Sequence, residues 1–182
     1  MLLNTPTVDT GWTAADFTLP DFDGNSVTLD SVKGQNGFLV AFICNHCPYV
    51  KAIADRFVQD AAILASQNFG VVAINSNDYL RYPDDSPPKM KEFAGRHGFD
   101  FPYLVDEDQS VGRAYDAVCT PDFFGFDANS QLRYRGRLDD ARMANADNRV
   151  AELVNAMQQI ARTGEGPVEQ HPSMGCSIKW RS

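Results

Sequence analysis

The chain has 182 residues, of which 43% are hydrophobic and 22% charged, and its formal net charge is −8. This length predicts one domain with a core large enough to fold without disulfide staples or a structural metal. The acidic charge, with no cluster of lysine and arginine, argues against a nucleic-acid partner. The longest apolar run, residues 38–44, is far too short to cross a bilayer, which argues against a membrane partner.

The N-terminal residues lack the basic region and long apolar stretch of a signal peptide. If the chain starts at its native residue, this predicts a cytoplasmic protein. In a reducing cytoplasm, we expect the four cysteines to be redox-active or metal-binding rather than joined in structural disulfides.

Strand-like and helical segments alternate along the chain, which predicts an α/β domain with a partly parallel sheet. Residues 17–29 alternate in polarity around an Asp-Gly-Asn turn, which is typical of a hairpin. Continuous apolar runs at 38–43 and 69–75 indicate buried strands. Between them, apolar residues recur at helical spacing and predict a helix from residue 48 to about 67.

The polar, aromatic and proline-containing stretch from 76 to about 86 is predicted to be a loop. The serine–proline pair at 86–87 is typical of a helix start, and Gly98 of a left-handed helix end. Asp106, with Gln109 three residues later, resembles a capping box and predicts another short helix.

Three further strands are predicted at 101–105, 122–127 and 131–135, the last two forming an antiparallel hairpin. An amphipathic pattern over about 150–164 predicts the final helix. The remaining residues, 165–182, lack a regular pattern until their apolar end and are predicted to be a tail.

Cys44 and Cys47 lie where a buried strand ends and a helix begins, with two residues between them. At a helix N-terminus, unpaired backbone N–H groups and the helix dipole stabilise a thiolate. One cysteine of such a pair attacks a disulfide, and the other resolves the mixed disulfide. His46 between them would, if protonated, lower the thiolate pKa further; a solvated loop residue is the alternative. The same spacing occurs in zinc sites, but its position in an α/β pattern favours redox chemistry.

Three segments resemble the thioredoxin superfamily, and within it the redoxin branch of thioredoxin-like and thiol-specific antioxidant-like proteins. They are the opening hairpin at 17–29, the junction Phe42-Ile-Cys-Asn-His-Cys-Pro, and the stretch Cys119-Thr-Pro-Asp-Phe-Phe-Gly-Phe-Asp. They follow the family's order, and the resemblance extends to about Arg162. It implies a thioredoxin-like α/β fold, with a central mixed sheet flanked by helices and an N-terminal hairpin.

The roles of individual residues follow as expectations. Cys44 is expected to attack, because the N-terminal cysteine of such a pair is the more exposed and the nearer to the helix dipole; Cys47 then resolves. The resemblance implies a cis peptide bond before Pro121, with Thr120 pairing with an extended substrate. An ordinary trans turn is the alternative.

Departures from the family pattern bear on function. Phe38 replaces the buried acid that thioredoxin carries six residues before its first cysteine. Counted back from Cys47, Cys44 replaces the Thr or Ser of peroxiredoxins. Their activating arginine is also missing at its usual place, although one from the neighbouring strand could approach: Arg133, Arg135 or Arg137.

Two further cysteines and one arginine are candidate auxiliary residues. Cys119 is expected near the active site because it lies two residues before Pro121; a buried apolar role is the alternative. Arg137 could hold the thiolate or the tail, or belong to a solvated charged face.

The apolar end of the tail is predicted to pack on the domain formed by residues 1–164. Such docking could bring Cys176 towards Cys44 as an extra resolving thiol. An inert or buried thiol is the alternative.

The leading prediction is a thiol–disulfide oxidoreductase that acts on protein or small-molecule disulfides together with a thiol reductant. The first alternative is a peroxiredoxin-like thiol peroxidase that acts on peroxides through a sulfenic acid. A non-enzyme alternative is a zinc- or copper-binding protein, with ligands among Cys44, Cys47, His46, Cys119, His171 and Cys176. No organic cofactor is implied, because no glycine-rich phosphate loop follows a strand.

Overall fold

A computed structural model describes residues 1–6 and 9–182, with strands and helices largely in the predicted order. The strands are β1 (Leu2–Asn4), β2 (Thr18–Pro20), β3 (Ser26–Thr28), β4 (Gly37–Phe42), β5 (Phe69–Asn75), β6 (Tyr103–Val105), β7 (Cys119–Thr120), β8 (Asp122–Phe126), β9 (Leu132–Gly136) and β10 (Met174–Ser177). The α-helices are α1 (Leu29–Val32), α2 (Pro48–Ser66), α3 (Pro87–His97), α4 (Ser110–Ala114) and α5 (Glu152–Thr163).

The central sheet has five strands in the order β6-β5-β4-β8-β9. Strands β4, β5 and β6 run parallel, whereas β8 is antiparallel to both β4 and β9. Strands β2 and β3 form the predicted N-terminal hairpin. The predicted mixed sheet of a thioredoxin-like fold is therefore confirmed.

Two hydrophobic clusters cover the two faces of this sheet. Leu39 and Ala41 of β4 pack with apolar residues of α2, α3 and α5. Phe38, Val40 and Phe42 point the other way and pack with residues of the hairpin, α1 and α4. Successive side chains of a strand alternate between faces, so a central strand covered on both sides requires the continuous apolar run seen in the sequence.

The sequence did not predict a second, three-stranded sheet, in which β10 lies between β1 and β7. The C-terminal tail therefore docks through backbone pairing, as well as by burial of Ile178. The predicted boundary between residues 1–164 and 165–182 stays a prediction.

The capping-box interpretation at Asp106 is wrong. Gln109, with φ of 65°, is the N-cap of α4 and makes no side-chain cap bond. The Asp106 carboxylate instead accepts from the N–H groups of Val111 (3.3 Å) and Gly112 (2.8 Å), further along the chain. The Gln109 side chain does not cap the helix and instead donates to the Lys179 carbonyl at 2.8 Å. The left-handed residue shifts the helix start, so the three-residue spacing does not form a capping box.

Within residues 1–6 and 9–182, no helix combines the length and the apolar character needed to cross a membrane.

Candidate active site

The end of β4 and the start of α2 hold the paired cysteines. Cys44 follows β4, and Cys47 is the N-cap of α2 with Pro48 at the first helical position. All four cysteines are free thiols, and neither Cys44 nor Cys47 has exposed surface. The greater exposure expected for Cys44 is therefore wrong. Cys47, as the N-cap, is also nearer to the N-terminus of α2 than Cys44 is, contrary to the expectation.

Thr120 contacts both of these thiols. Its peptide bond to Pro121 is cis, as the resemblance implied. The Thr120 hydroxyl lies 3.2 Å from Cys44 Sγ, and its carbonyl lies 3.4 Å from Cys47 Sγ, which donates to it when protonated. The turn between β7 and β8 therefore meets the strand–helix junction through a single residue.

Asp85, in the loop predicted at residues 76–86, organises the segment between the cysteines and was missed by the sequence analysis. It lies in a 3₁₀ turn, Pro83–Asp85, and is 1% exposed. Its carboxylate accepts from the Asn45 N–H at 2.7 Å and the Asn77 side chain at 2.8 Å, and lies 2.6 Å from His46 Nδ1. Two adjacent aspartates before the Ser-Pro helix start were the only signal in the sequence.

Asp85 and His46 each stabilise the charged form of the other. Burial opposes the charge on Asp85, but His46, the Asn45 N–H and Asn77 outweigh it and lower the pKa of Asp85. Interaction with Asp85 raises the pKa of His46 against the effect of burial, and the charge on Cys47 adds to this. A protonated imidazole is therefore favoured beside the thiols.

The two thiols differ in their environments. Interaction with the Cys44 thiol lowers the pKa of Cys47 against the effect of burial, and the thiol and N–H of Cys176 and the N–H of Val50 lower it further. The Cys44 pKa is raised well above its ordinary value by Cys47, by burial and by the charge of Asp85. The thiolate is therefore favoured on Cys47, the N-cap of α2, where the positive end of the helix dipole also stabilises it. Its contact with the Thr120 carbonyl is a hydrogen bond only in the protonated state.

Strand β10 packs tightly against Thr120. Cys176 pairs with Thr120 across the two strands, and Ser173 Oγ donates to the Pro121 carbonyl at 2.6 Å. A Cβ atom on Gly175 would overlap the carbonyl oxygen of Thr120. Only glycine permits this approach, which places β10 beside both buried thiols.

A Gly175→Ala variant is expected to push β10 away from Thr120, because its methyl group has no room. We expect a loss of about 1–3 kcal/mol in the free energy of unfolding and about tenfold faster alkylation of Cys44 and Cys47 through local opening. Urea unfolding and mass spectrometry after iodoacetamide treatment measure these effects. Gly95→Ala is the matched control, because its Cβ meets no atom within 4 Å. Unchanged alkylation in Gly175→Ala would show that β10 does not shield the thiols.

The structure does not support a thiolate contact for any of the candidate arginines. The Arg137 guanidinium pairs with Glu152 of α5, and only its backbone N–H holds the tail, donating to the His171 carbonyl at 3.1 Å. The other two also pair with carboxylates: Arg133 with Asp127 and Glu165, and Arg135 with Asp122. The predicted role of Arg137 at the thiolate is therefore wrong.

Cys119 is buried, and its thiol donates to the Pro121 carbonyl at 3.7 Å. Burial raises its pKa far above the ordinary value, and the charge of Asp122 adds to this. These surroundings suit a neutral packed thiol rather than a nucleophile.

The possible metal ligands that the structure brings together differ from the predicted set, because they include Asp85. The structure brings ligand atoms of Cys44, His46 and Asp85 within 4.8 Å of one another. The ring of His171 instead pairs with Glu152 at 3.0 Å. Since Asp85 already pairs with His46 and bonds to two further donors, its contacts are satisfied without an ion.

A thioredoxin-like fold with two adjacent thiols at a strand–helix junction defines the class of this protein. The model of the AhpC/TSA family matches residues 10–135, so the chain belongs to the AhpC/TSA family.

Several relatives and solved structures are similar to this chain. Peroxiredoxin Bcp of Escherichia coli K12 is 29% identical over 145 residues, covering 72% of this chain and 86% of that protein. Thiol-disulfide oxidoreductase ResA of Geobacillus kaustophilus is 28% identical over 134 residues, covering 69% of this chain and 68% of that protein. A crystal structure of an uncharacterized conserved protein from Geobacillus kaustophilus has a TM-score of 0.93 and 42% identity, covering 100% and 97% of the two chains. The crystal structure of a hypothetical protein from Sinorhizobium meliloti 1021 has a TM-score of 0.93 and 40% identity, covering 98% of each of the two chains.

Proposed function

We propose that this protein is a thiol–disulfide oxidoreductase that exchanges disulfides through Cys47 and Cys44. One observation carries the proposal: two free thiols at the junction of β4 and α2 both contact Thr120, the residue before the cis proline. Neighbouring donors stabilise the thiolate on one of them, and the thiolate is the form that attacks a disulfide.

The exchange has two balanced steps. The Cys47 thiolate attacks one sulfur of a substrate disulfide, forms a mixed disulfide and releases the first substrate thiolate. Cys44 then loses its proton and attacks the Cys47 sulfur, which forms the Cys44–Cys47 disulfide and releases the second thiolate. The substrate gains two electrons and the protein loses two, which a thiol reductant returns. This order reverses the roles that the sequence suggested for the two cysteines.

His46 and Asp85 tune this exchange rather than take part in bond formation. A protonated His46 favours the Cys47 thiolate and therefore the reduced protein. Stabilising the reduced form makes the Cys44–Cys47 disulfide a stronger oxidant. Protein or small-molecule disulfides are the proposed substrates, and the cytoplasmic location stays a prediction.

A thiol peroxidase is the second candidate, because Cys47 carries a stabilised thiolate at the position that matches a peroxidatic cysteine. Peroxide reduction also needs donors to the peroxide oxygens. The three candidate guanidinium groups are paired with carboxylates, and Cys44 stands where peroxiredoxins carry a hydroxyl. Disulfide exchange needs neither group and fits the site better.

Equilibration in glutathione redox buffers, followed by alkylation and mass spectrometry, tests the proposal. We expect Cys44 and Cys47 to lose their free thiols together in one two-electron transition, while Cys119 stays alkylatable after unfolding. The Cys119→Ser variant should titrate at the same potential. The proposal is wrong if both thiols stay reduced throughout, or if each takes up glutathione without forming a disulfide to the other.

A further inference from the structure

The C-terminal strand β10 brings a third thiol to the active site. Its register sets Cys176 opposite Thr120, whose hydroxyl and carbonyl contact Cys44 and Cys47. Cys176 packs against the hydrophobic cluster that contains both cysteines. It is partly exposed, whereas the other two have no exposed surface.

Contacts on both sides of β10 fix the position of Cys176. Before the strand, Ser173 Oγ donates to the Pro121 carbonyl at 2.6 Å. After it, the Lys179 N–H donates to Asn77 Oδ1 at 2.8 Å. A thiol held in place next to a reacting sulfur has a far higher effective concentration than a thiol in solution.

The sequence suggested that the tail would bring Cys176 towards Cys44. In the structure β10 packs against α2, whose N-cap is Cys47, and the Thr120 carbonyl opposite Cys176 lies 3.4 Å from Cys47 Sγ. Cys47 is therefore the active-site thiol nearer to Cys176.

The thiol and backbone N–H of Cys176 both contribute to the lowered pKa of Cys47. Burial and Cys47 raise the pKa of Cys176 to about 11, against the charge of Lys179. Because Cys176 is partly exposed, it can pass its proton directly to water, whereas Cys44 is buried beside the Asp85 charge.

We infer that Cys176 is a second resolving thiol, which attacks Cys47 within the mixed disulfide and forms a Cys47–Cys176 disulfide. The inference rests on the proposed function, because that exchange supplies the mixed disulfide. In this step Cys176 gives its proton to water, its sulfur bonds to Cys47 Sγ, and the substrate leaves as a thiolate. Cys44 then loses its proton, attacks Cys47 and forms the Cys44–Cys47 disulfide, while Cys176 leaves as a thiolate and takes up a proton.

The experiment removes Cys44 and asks whether Cys176 replaces it, with glutathione disulfide as the probe. Reduced Cys44→Ser is expected to release two glutathiones per chain and to gain a Cys47–Cys176 disulfide, identified by peptide mapping. Cys44→Ser/Cys176→Ser should keep one glutathione bound to Cys47. Its loss from this variant should be at least about tenfold slower than the release of the second glutathione from Cys44→Ser. Cys44→Ser/Cys119→Ser is the matched control and should behave like Cys44→Ser. Circular dichroism checks that each variant is folded.

Other results overturn the inference and separate it from the proposed function. Stable glutathione on Cys47 in Cys44→Ser would show that Cys176 does not resolve. A Cys47–Cys119 disulfide would assign the step to a different thiol. If Cys44→Ser fails to react while the wild type exchanges, Cys47 is not the attacking thiol, and the inference fails although the oxidoreductase function stands. A wild type that does not exchange would overturn that function itself.

Discussion

A Cys47→Ser variant is expected to exchange disulfides at least about 100-fold more slowly than the wild type at pH 7. The remaining thiol of the pair, Cys44, is buried beside the negative charge of Asp85, which raises its pKa. Each unit by which a thiol pKa exceeds the ambient pH lowers the thiolate fraction about tenfold. A pKa two units above the ambient pH therefore removes about 99% of the attacking species.

The measurement is the rate at which reduced protein releases the first thiol from a peptide disulfide. Cys44→Ser is the matched comparison. It should keep this first step within about threefold of the wild-type rate, because Cys47 is the attacking thiol and the serine hydroxyl can replace the Cys44 thiol as a donor to it. The reverse ranking of the two variants would assign the attack to Cys44, as the sequence first suggested.

An Asp85→Asn variant is expected to lower the free energy of unfolding by about 2 kcal/mol. The change removes a buried carboxylate that accepts from Asn45 and Asn77 and pairs with His46. The amide oxygen can keep one of these bonds but not the charge. Asp84→Asn is the matched control, since its side chain is exposed, and it should change stability by less than about 0.5 kcal/mol.

The effect of Asp85→Asn should also depend on pH. The pKa of Asp85 is lowered on folding, so its contribution is present above its ordinary pKa of 3.8 and is lost as the pH falls towards the folded value. The pKa of His46 is raised, so its contribution is full below its ordinary 6.5 and is lost as the pH rises through the folded value. The difference between wild type and variant should therefore be largest between pH 3.8 and 6.5. Urea unfolding across this range measures it, and a difference that does not vary with pH would exclude the ion pair as its source.

Local patterns were enough to predict most of the fold. The apolar run of β4 and the helical spacing in α2 each reflect burial, which depends on the position of a residue along its own element. The strand–helix junction therefore placed Cys44 and Cys47 correctly. The resemblance supplied the cis bond before Pro121, which the residues alone could not distinguish from a trans turn.

Long-range contacts explain what the sequence could not supply. Asp85 lies 38 residues beyond Cys47 in the sequence and contacts the residues between the two cysteines, but nothing in its local pattern signals that contact. The pairing of β10 with β1 and β7 joins the two ends of the chain. The assignment of the thiolate to Cys47 depends on donors from both α2 and β10, so it required the tertiary structure.

The most direct test of the account compares two oxidants of the reduced protein by stopped flow, a peptide disulfide and hydrogen peroxide, with thiol loss as the signal. Disulfide exchange through Cys47 predicts fast loss to the peptide disulfide and peroxide consumption no faster than that of a free thiolate. Peroxide consumption orders of magnitude faster, with slow disulfide exchange, would contradict the account and assign the Cys47 thiolate to a peroxidase.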